Sequence, residues 1–263
     1  MKITTKIAFR QLLPNHNFSF ISFTTILTII GLSIGVASLI TISCISKGFS
    51  IAVNTKLSNI DGHIRITTYD SSPMPMIEIA NLDSNIFKTF NNVEESTAYI
   101  EKHILIKNMD NIEGVILYGV SSSSLKSIFN LDKISLNDSL FNENNSIILG
   151  KTLAENLNVN VNDDIITFDI EGMSREKFIK EEKFIVSNIF ETNFPEYDRL
   201  LAFTSLDFAQ NFFNMNNEAS GLIINAVDAY DAKIIEDNIS KTIIQYPYIS
   251  HSWQDRHHNL LAW

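Results

Sequence analysis

The 263-residue chain has one cysteine, Cys44, and only five prolines and nine glycines. A single thiol forms no internal disulfide, and no spaced Cys/His set is present to hold a metal. H-E-x-x-H does not occur, so the zinc-protease signature is missing; G-x-S-x-G occurs at Gly31–Gly35, inside a long apolar run and not at the strand-to-helix turn a serine hydrolase needs. Positive charge is also scarce: 20 Lys and Arg stand against 30 Asp and Glu, for a net charge of -10. A nucleic-acid binder needs a concentrated basic footprint, and this chain has none. Acidic pairs such as Asp163-Asp164 and Glu181-Glu182 fall in turn-like stretches and read as solvated. No catalytic centre, cofactor site or metal site emerges from these residues.

What the chain does have is one long uncharged run. Asn17 to Ser46 contains no residue that ionises at neutral pH. As a helix its roughly 30 residues reach about 45 Å, against a bilayer core of about 30 Å. It reads as one transmembrane helix, with a stalk continuing to residue 57. A cleaved signal peptide has a shorter apolar region and a small-residue cleavage site, which this run lacks. A lipoprotein anchor at Cys44 lacks the usual Leu three positions before the Cys; that place holds Thr41. Thr24, Thr28, Gly31, Gly35 and Ser38 share a face at helical spacing and suit packing against another helix. Before the span, Lys2, Lys6 and Arg10 lie four residues apart on an amphipathic tail, residues 1–16, which Pro14 interrupts. Positive charge on that side places the tail in the cytoplasm and the rest of the chain outside the inner membrane.

Residues 58–252 read as an α+β domain. Asp61-Gly62 ends the stalk, and Ile64–Thr68 alternates as a strand. Asp83 is expected to cap a short helix through Phe90. Strands are expected at 99–107 and 115–120, and Ser121–Ser124 caps a helix through Phe129. Then come a strand at 147–149, a helix at 151–157, a turn with Asn162 left-handed, and a strand at 165–170. Glu171 to Lys183 is a charged excursion. Strands follow at 184–189 and 199–203, then a helix capped by Thr204. Asp228 caps a helix with Ile234, Ile235, Ile239 and Ile243 as its core stripe, Ile249–Ser252 is a last strand, and Trp253 starts a new helix. This order predicts an α/β subdomain built from both chain ends, with a β-rich subdomain inserted at about 147–213. Residues 253–263 read as the lead into a second membrane helix.

Two partial motifs stand out. Gly150-Lys151-Thr152 follows a strand and opens a helix, but Asn145 replaces the first glycine of a phosphate loop. His251, Asp255, His257 and His258 cluster without enough partners for a metal site and read as a polar lead into membrane.

Four stretches together resemble the LolC/LolE-type permeases of lipoprotein-releasing ABC transporters. They are GLSIGVASLITISCISKGF in the span, IILGKTLAENLNVNVNDDI at 147–165, KFIVSNIFETNFPEYDRLLAFTSLDFAQNFF at 183–213, and Ser252-Trp253-Gln254-Asp255. Asn162 stands where that family usually has Gly. The resemblance implies a MacB-like periplasmic core of the FtsX superfamily on an inner-membrane anchor. It implies a non-catalytic permease subunit passing lipoproteins toward a periplasmic carrier. Its partners would be a cytoplasmic ABC ATPase in a full-length permease and a second permease copy or paralogue. By position, the family's carrier-docking loop falls on the excursion, at Gly172, Met173, Ser174 and Arg175, without the family's prolines. The same pattern also suits an efflux or mechanotransmitting permease of the superfamily. A single-span periplasmic sensor or binding protein is the third reading.

Overall fold

A computed structural model describes residue 3 and residues 20–129, 131, 141, 145–170, 180–192 and 194–257. The chain divides into two compact units, Met1–Asn54 and Thr55–Trp263.

Helix α1 runs from Phe20 to Asp61 and makes up the described part of the first unit, apart from residue 3. None of the residues of its apolar window, Phe23–Ile51, is buried. Hydroxyls in it fold back onto the helix: Thr28, Ser33 and Thr41 donate to the carbonyls of Thr25, Ile29 and Ala37. Such groups satisfy themselves where water is absent. The helix ends where Gly62 takes a left-handed φ of 69°.

The second unit begins with β1 (Ile64–Thr68), β2 (Met74–Pro75), α2 (Met76–Thr89), β3 (Val93–Asn108), β4 (Asn111–Val120) and α3 (Ser122–Ser127). Next come β5 (Ser146–Gly150), α4 (Lys151–Leu157), β6 (Asp164–Asp169), β7 (Glu181–Phe190), α5 (Pro195–Leu200), β8 (Leu201–Ser205) and α6 (Leu206–Phe212). The chain then forms β9 (Glu218–Ala219), β10 (Gly221–Ala226), a 3-10 turn (Ala229–Asp231), α7 (Ala232–Thr242), β11 (Tyr248–Ser252) and α8 (Trp253–Arg256).

Nine of the described strands form one sheet in the order β11-β1-β10-β3-β4-β8-β5-β7-β6, and β6 pairs back onto β3. Strands β3, β4, β8, β5, β7 and β6 thereby close into a six-stranded barrel. The remaining strands, β11, β1 and β10, extend from β3 as a four-stranded lobe. β3 is long because it serves both: Val93 to Tyr99 faces β10, and Ile100 to Asn108 faces β4. The barrel thus joins the second half of β3 and all of β4 to β5, β6, β7 and β8.

Alternation decides what fills the barrel. Ile104, Ile106, Val115, Leu117, Ile147, Leu149, Phe184 and Val186 are buried in one cluster with Leu153 and Leu157 of α4. A second cluster is aromatic: Tyr99, Tyr118, Phe129, Phe190 and Phe203 pack with Ile223 of β10.

Four local expectations are corrected. Asp83 lies inside α2, where it accepts the Ser96 hydroxyl, because the buried seam Ile79, Leu82, Ile86 carries the helix back to Met76. Arg199 is helical, since Pro195 opens α5 at its first turn. The cap of α6 is Ser205, which receives the Phe208 N–H, while Thr204 stays in β8 and bonds the Ser146 carbonyl. Ile234 is 63% exposed, and Glu236 takes the inward place beside Ile235 and Ile239.

Candidate functional site

The five small and hydroxyl residues of the span lie on one side of α1. At about 100° per residue, Thr24, Thr28, Gly31, Gly35 and Ser38 fall within about 80° of arc. A Cβ built at Gly31 or Gly35 meets nothing within 4 Å, so the face is open for a neighbouring backbone.

The expected docking loop, with Gly172, Met173, Ser174 and Arg175, lies outside the described residues. Its base is described. Strands β6 and β7 form an antiparallel arm, and the Asp169 N–H donates to the Lys180 carbonyl where the arm opens. Lys180 donates to the Asn211 carbonyl and the Asn214 side chain at 3.1 and 3.2 Å and sits 5.6 Å from the centre of the Phe212 ring. One flank of the loop is thus pinned to the end of α6.

Beside this arm the outer wall of the barrel is partly apolar. Register aligns Ile112, Lys107, Ile166 and Lys183 across β4, β3, β6 and β7, with Gly114, Leu105, Phe168 and Glu181 in the next row on the same face. Ile112 and Ile166 are 56% and 42% exposed, and Met109 at the β3–β4 turn is 81% exposed. An open groove of about 620 Å³ runs between Met109, Ile166, Lys107, Asp164 and Glu181. Lys183 pairs with Asp164 at 2.7 Å along its rim. An apolar floor with charges of both signs at its edge is the anatomy of a protein-docking patch. Sequence reasoning missed these residues. The available signal was Leu105, Ile166 and Phe168, apolar at alternate positions whose neighbours Ile104, Ile106 and Ile165 are also apolar.

The remaining candidates belong to the scaffold. Asp255 accepts from the Ser252 hydroxyl at 2.9 Å and Lys233 at 2.9 Å, capping α8. Burial alone pushes its carboxyl up, but Lys233 and Ser252 outweigh that and hold it below the usual carboxylate range. Hydrogen bonds to Glu236 and Asp255 raise Lys233 well above the ordinary lysine value. No group of three metal-ligating side chains is found among the described residues. Gly150 packs under the backbone of α5: a Cβ there would lie 2.1 Å from the Asp198 carbonyl. Asp198 itself is buried and holds Thr192 by its N–H and hydroxyl, at 2.8 and 2.7 Å.

Residues 25–242 match the family model described as MacB-like periplasmic core domain. The chain is 29% identical over 210 residues to the lipoprotein-releasing system transmembrane protein LolC of Buchnera aphidicola subsp. Schizaphis graminum, covering 78% of this chain and 51% of that protein. It is 25% identical over 231 residues to the protein of the same name from Neisseria meningitidis serogroup B, covering 86% of this chain and 55% of that one. Among solved structures, the periplasmic region of MacB from Actinobacillus actinomycetemcomitans aligns at 9% identity with a TM-score of 0.48, covering 78% of this chain and 95% of that one. The chain spans about half the length of these curated relatives.

Proposed function

Since the chain belongs to the MacB-like periplasmic core domain family, we propose that it is the anchoring helix and external domain of an ABC transporter permease that releases lipoproteins from the inner membrane. The observation that carries this reading is the relatives' shared name, lipoprotein-releasing system transmembrane protein LolC, over most of this chain. In it, α1 spans the inner membrane with its N-terminal tail in the cytoplasm. The Thr24, Thr28, Gly31, Gly35, Ser38 face packs against helices of a second permease copy or paralogue. The loop around Gly172, Met173, Ser174 and Arg175 receives a periplasmic lipoprotein carrier, and the Met109–Ile166 groove at its base supports the docked partner. The work of transport comes from a cytoplasmic ABC ATPase; the chain itself moves cargo without chemistry of its own.

The test uses the full-length permease. It should co-purify with an ABC ATPase from the same cell, and its depletion should leave outer-membrane lipoproteins in the inner membrane. A permease that binds no such ATPase, and whose depletion leaves lipoprotein sorting intact, overturns the reading.

A further inference from the structure

β3 is the strand through which the four-stranded lobe continues into the barrel, and the change of partner falls between Tyr99 and Ile100. A sheet twists readily at such a point, so one shared strand leaves the two parts free to swing unless side chains tie them. Arg65 crosses this boundary from an outer strand. It is the second residue of β1, whose partner β11 runs straight into α8. Its guanidinium passes over β10, reaches Glu101 on β3 as an ion pair, and donates to the Tyr118 hydroxyl on β4 at 2.9 Å. It lies 5.0 Å from the Tyr99 ring centre and 5.4 Å from that of Tyr118. On β10, Ile223 pairs with Arg65, and Gly221 lies opposite Tyr99. A Cβ on Gly221 would come within 2.2 Å of the Ile66 carbonyl and 3.2 Å of the Tyr99 ring, so only glycine lets β1 and Tyr99 close over it.

The contact continues into the barrel. Tyr118 stacks on Phe203 at 5.7 Å, and Phe203 meets Phe190 at 5.4 Å, linking β4 to β8 and β7. Arg65 is only 6% exposed, so its charge is held by these partners and not by water. A planar fork suits this place between the lobes. One edge pairs with a carboxylate, another with a phenol, while the face stacks on aromatic rings, which an ammonium cannot do at once.

The chain leads converge on the same strands. The end of α1 passes through Gly62 and His63 into β1, and the His63 carbonyl accepts the Trp253 N–H at the start of α8. We propose that Arg65 is the positioning residue that makes the barrel follow the four-stranded lobe as one body, so that displacement entering at β1 and β11 reaches β4, β8 and β7. This holds whatever cargo the protein moves.

The experiment uses the full chain in lipid nanodiscs with Cys44→Ser and spin labels at Ala80→Cys on α2 and Glu155→Cys on α4, both exposed. The interlobe distance distribution is read by pulsed electron resonance. Arg65→Met should broaden it about twofold or more, while amide exchange within each lobe stays unchanged. Tyr118→Phe and Arg65→Lys, which retain a cation, should broaden it less. Arg65→Met with Glu101→Gln should stay broad. A narrow distribution in that double variant would mean that the stranded carboxylate caused the effect, and would overturn the proposal. So would a folded Arg65→Met that superimposes on the parent. Should Arg65→Met fail to fold, superposition of both Arg65→Lys and Tyr118→Phe on the parent would overturn it equally. Lipoprotein release is not read at any step, so this test and the functional one fail separately.

Discussion

Lys233 on α7 holds three carboxylates at once: Glu236 at 2.8 Å, Asp255 at 2.9 Å and Asp237 at 3.1 Å. Lys233→Met removes the cation and keeps the length of the side chain. The three pairs are unequal. Asp237 is half exposed and one turn away, worth about 0.3–0.5 kcal/mol. Asp255 is partly exposed, and its pair is worth up to about 1 kcal/mol. Glu236 is 6% exposed and keeps the Ser250 hydroxyl at 2.6 Å, so stranding its charge costs about 1–2 kcal/mol after allowance for the half-exposed lysine. The sum is about 2–3 kcal/mol, which lowers the melting temperature of a unit this size by about 5–10 °C. Trp253 is buried at the head of α8 and reports unfolding by its fluorescence. Adding Glu236→Gln should recover about half the loss, because the buried charge is then gone. The Asp255 carboxyl is depressed in the fold, so its stabilisation is present above its unfolded value of about 3.9 and is lost as acid takes the pH below that. Lys233→Met should therefore flatten the acid limb below about pH 4. A melting shift under about 1 °C, or no recovery in the double variant, would refute the assignment of Glu236 as the energetic centre of the cluster.

Other outcomes follow from contacts elsewhere in the fold. Gly150→Ala drives a methyl into the Asp198 backbone, which cannot yield as a side chain would; a loss of about 3 kcal/mol or more in denaturant unfolding is expected. Burial pushes His63 below its ordinary value, and the Ala226 backbone, Glu94 and Asp228 offset only part of that. The unfolded chain therefore binds this proton more readily, and stability falls as pH drops below about 6.5; His63→Gln should flatten the slope between about pH 7 and 5. Ile166→Glu changes a residue 42% exposed on the barrel wall, so stability should move by about 0.5 kcal/mol or less, while the proposed docking of a periplasmic carrier predicts that crosslinking to it is lost. Unchanged crosslinking would remove the groove from the docking surface.

Features that a few neighbouring residues decide were legible in the sequence. Ile64–Thr68 is β-branched and alternates, and it forms β1 over that same span. Asn162 takes its left-handed turn at φ 75°, and Ser121 caps α3. Features that a distant partner decides were not legible. Asp83 has the chemistry of an N-cap, but its partner is Ser96 on a strand, and α2 begins earlier because β2 pairs with β9. Ile234 and Glu236 exchange their expected places because Ser250 and Lys233 satisfy a buried carboxylate, so hydropathy gives the wrong sign at both. The barrel was illegible for the same reason. Its closure rests on β3 pairing with β6, about 60 residues on, and local alternation cannot report that register.

The motifs that made the resemblance visible are largely scaffold. Gly150 admits α5, Asp198 closes the turn at Thr192, and Ser252 with Asp255 caps α8. Ala209 lies against Gly119, where a Cβ would approach it to 2.3 Å. Close approaches leave no room for a side chain at Gly150 and Gly119, and hydrogen bonds hold Asp198, Ser252 and Asp255 in place. The faces proposed to meet partners are of the other kind. Ile112, Ile166 and Met109 are ordinary apolar residues on an outer wall, and the span face is Thr, Gly and Ser. Substitution at such places changes what is bound before it changes the fold, so they are where members of one fold family can differ in partner. Exchanging Ile112, Ile166 and Met109 for the residues a relative carries there should therefore transfer carrier preference in a pull-down while leaving the melting temperature within about 2 °C.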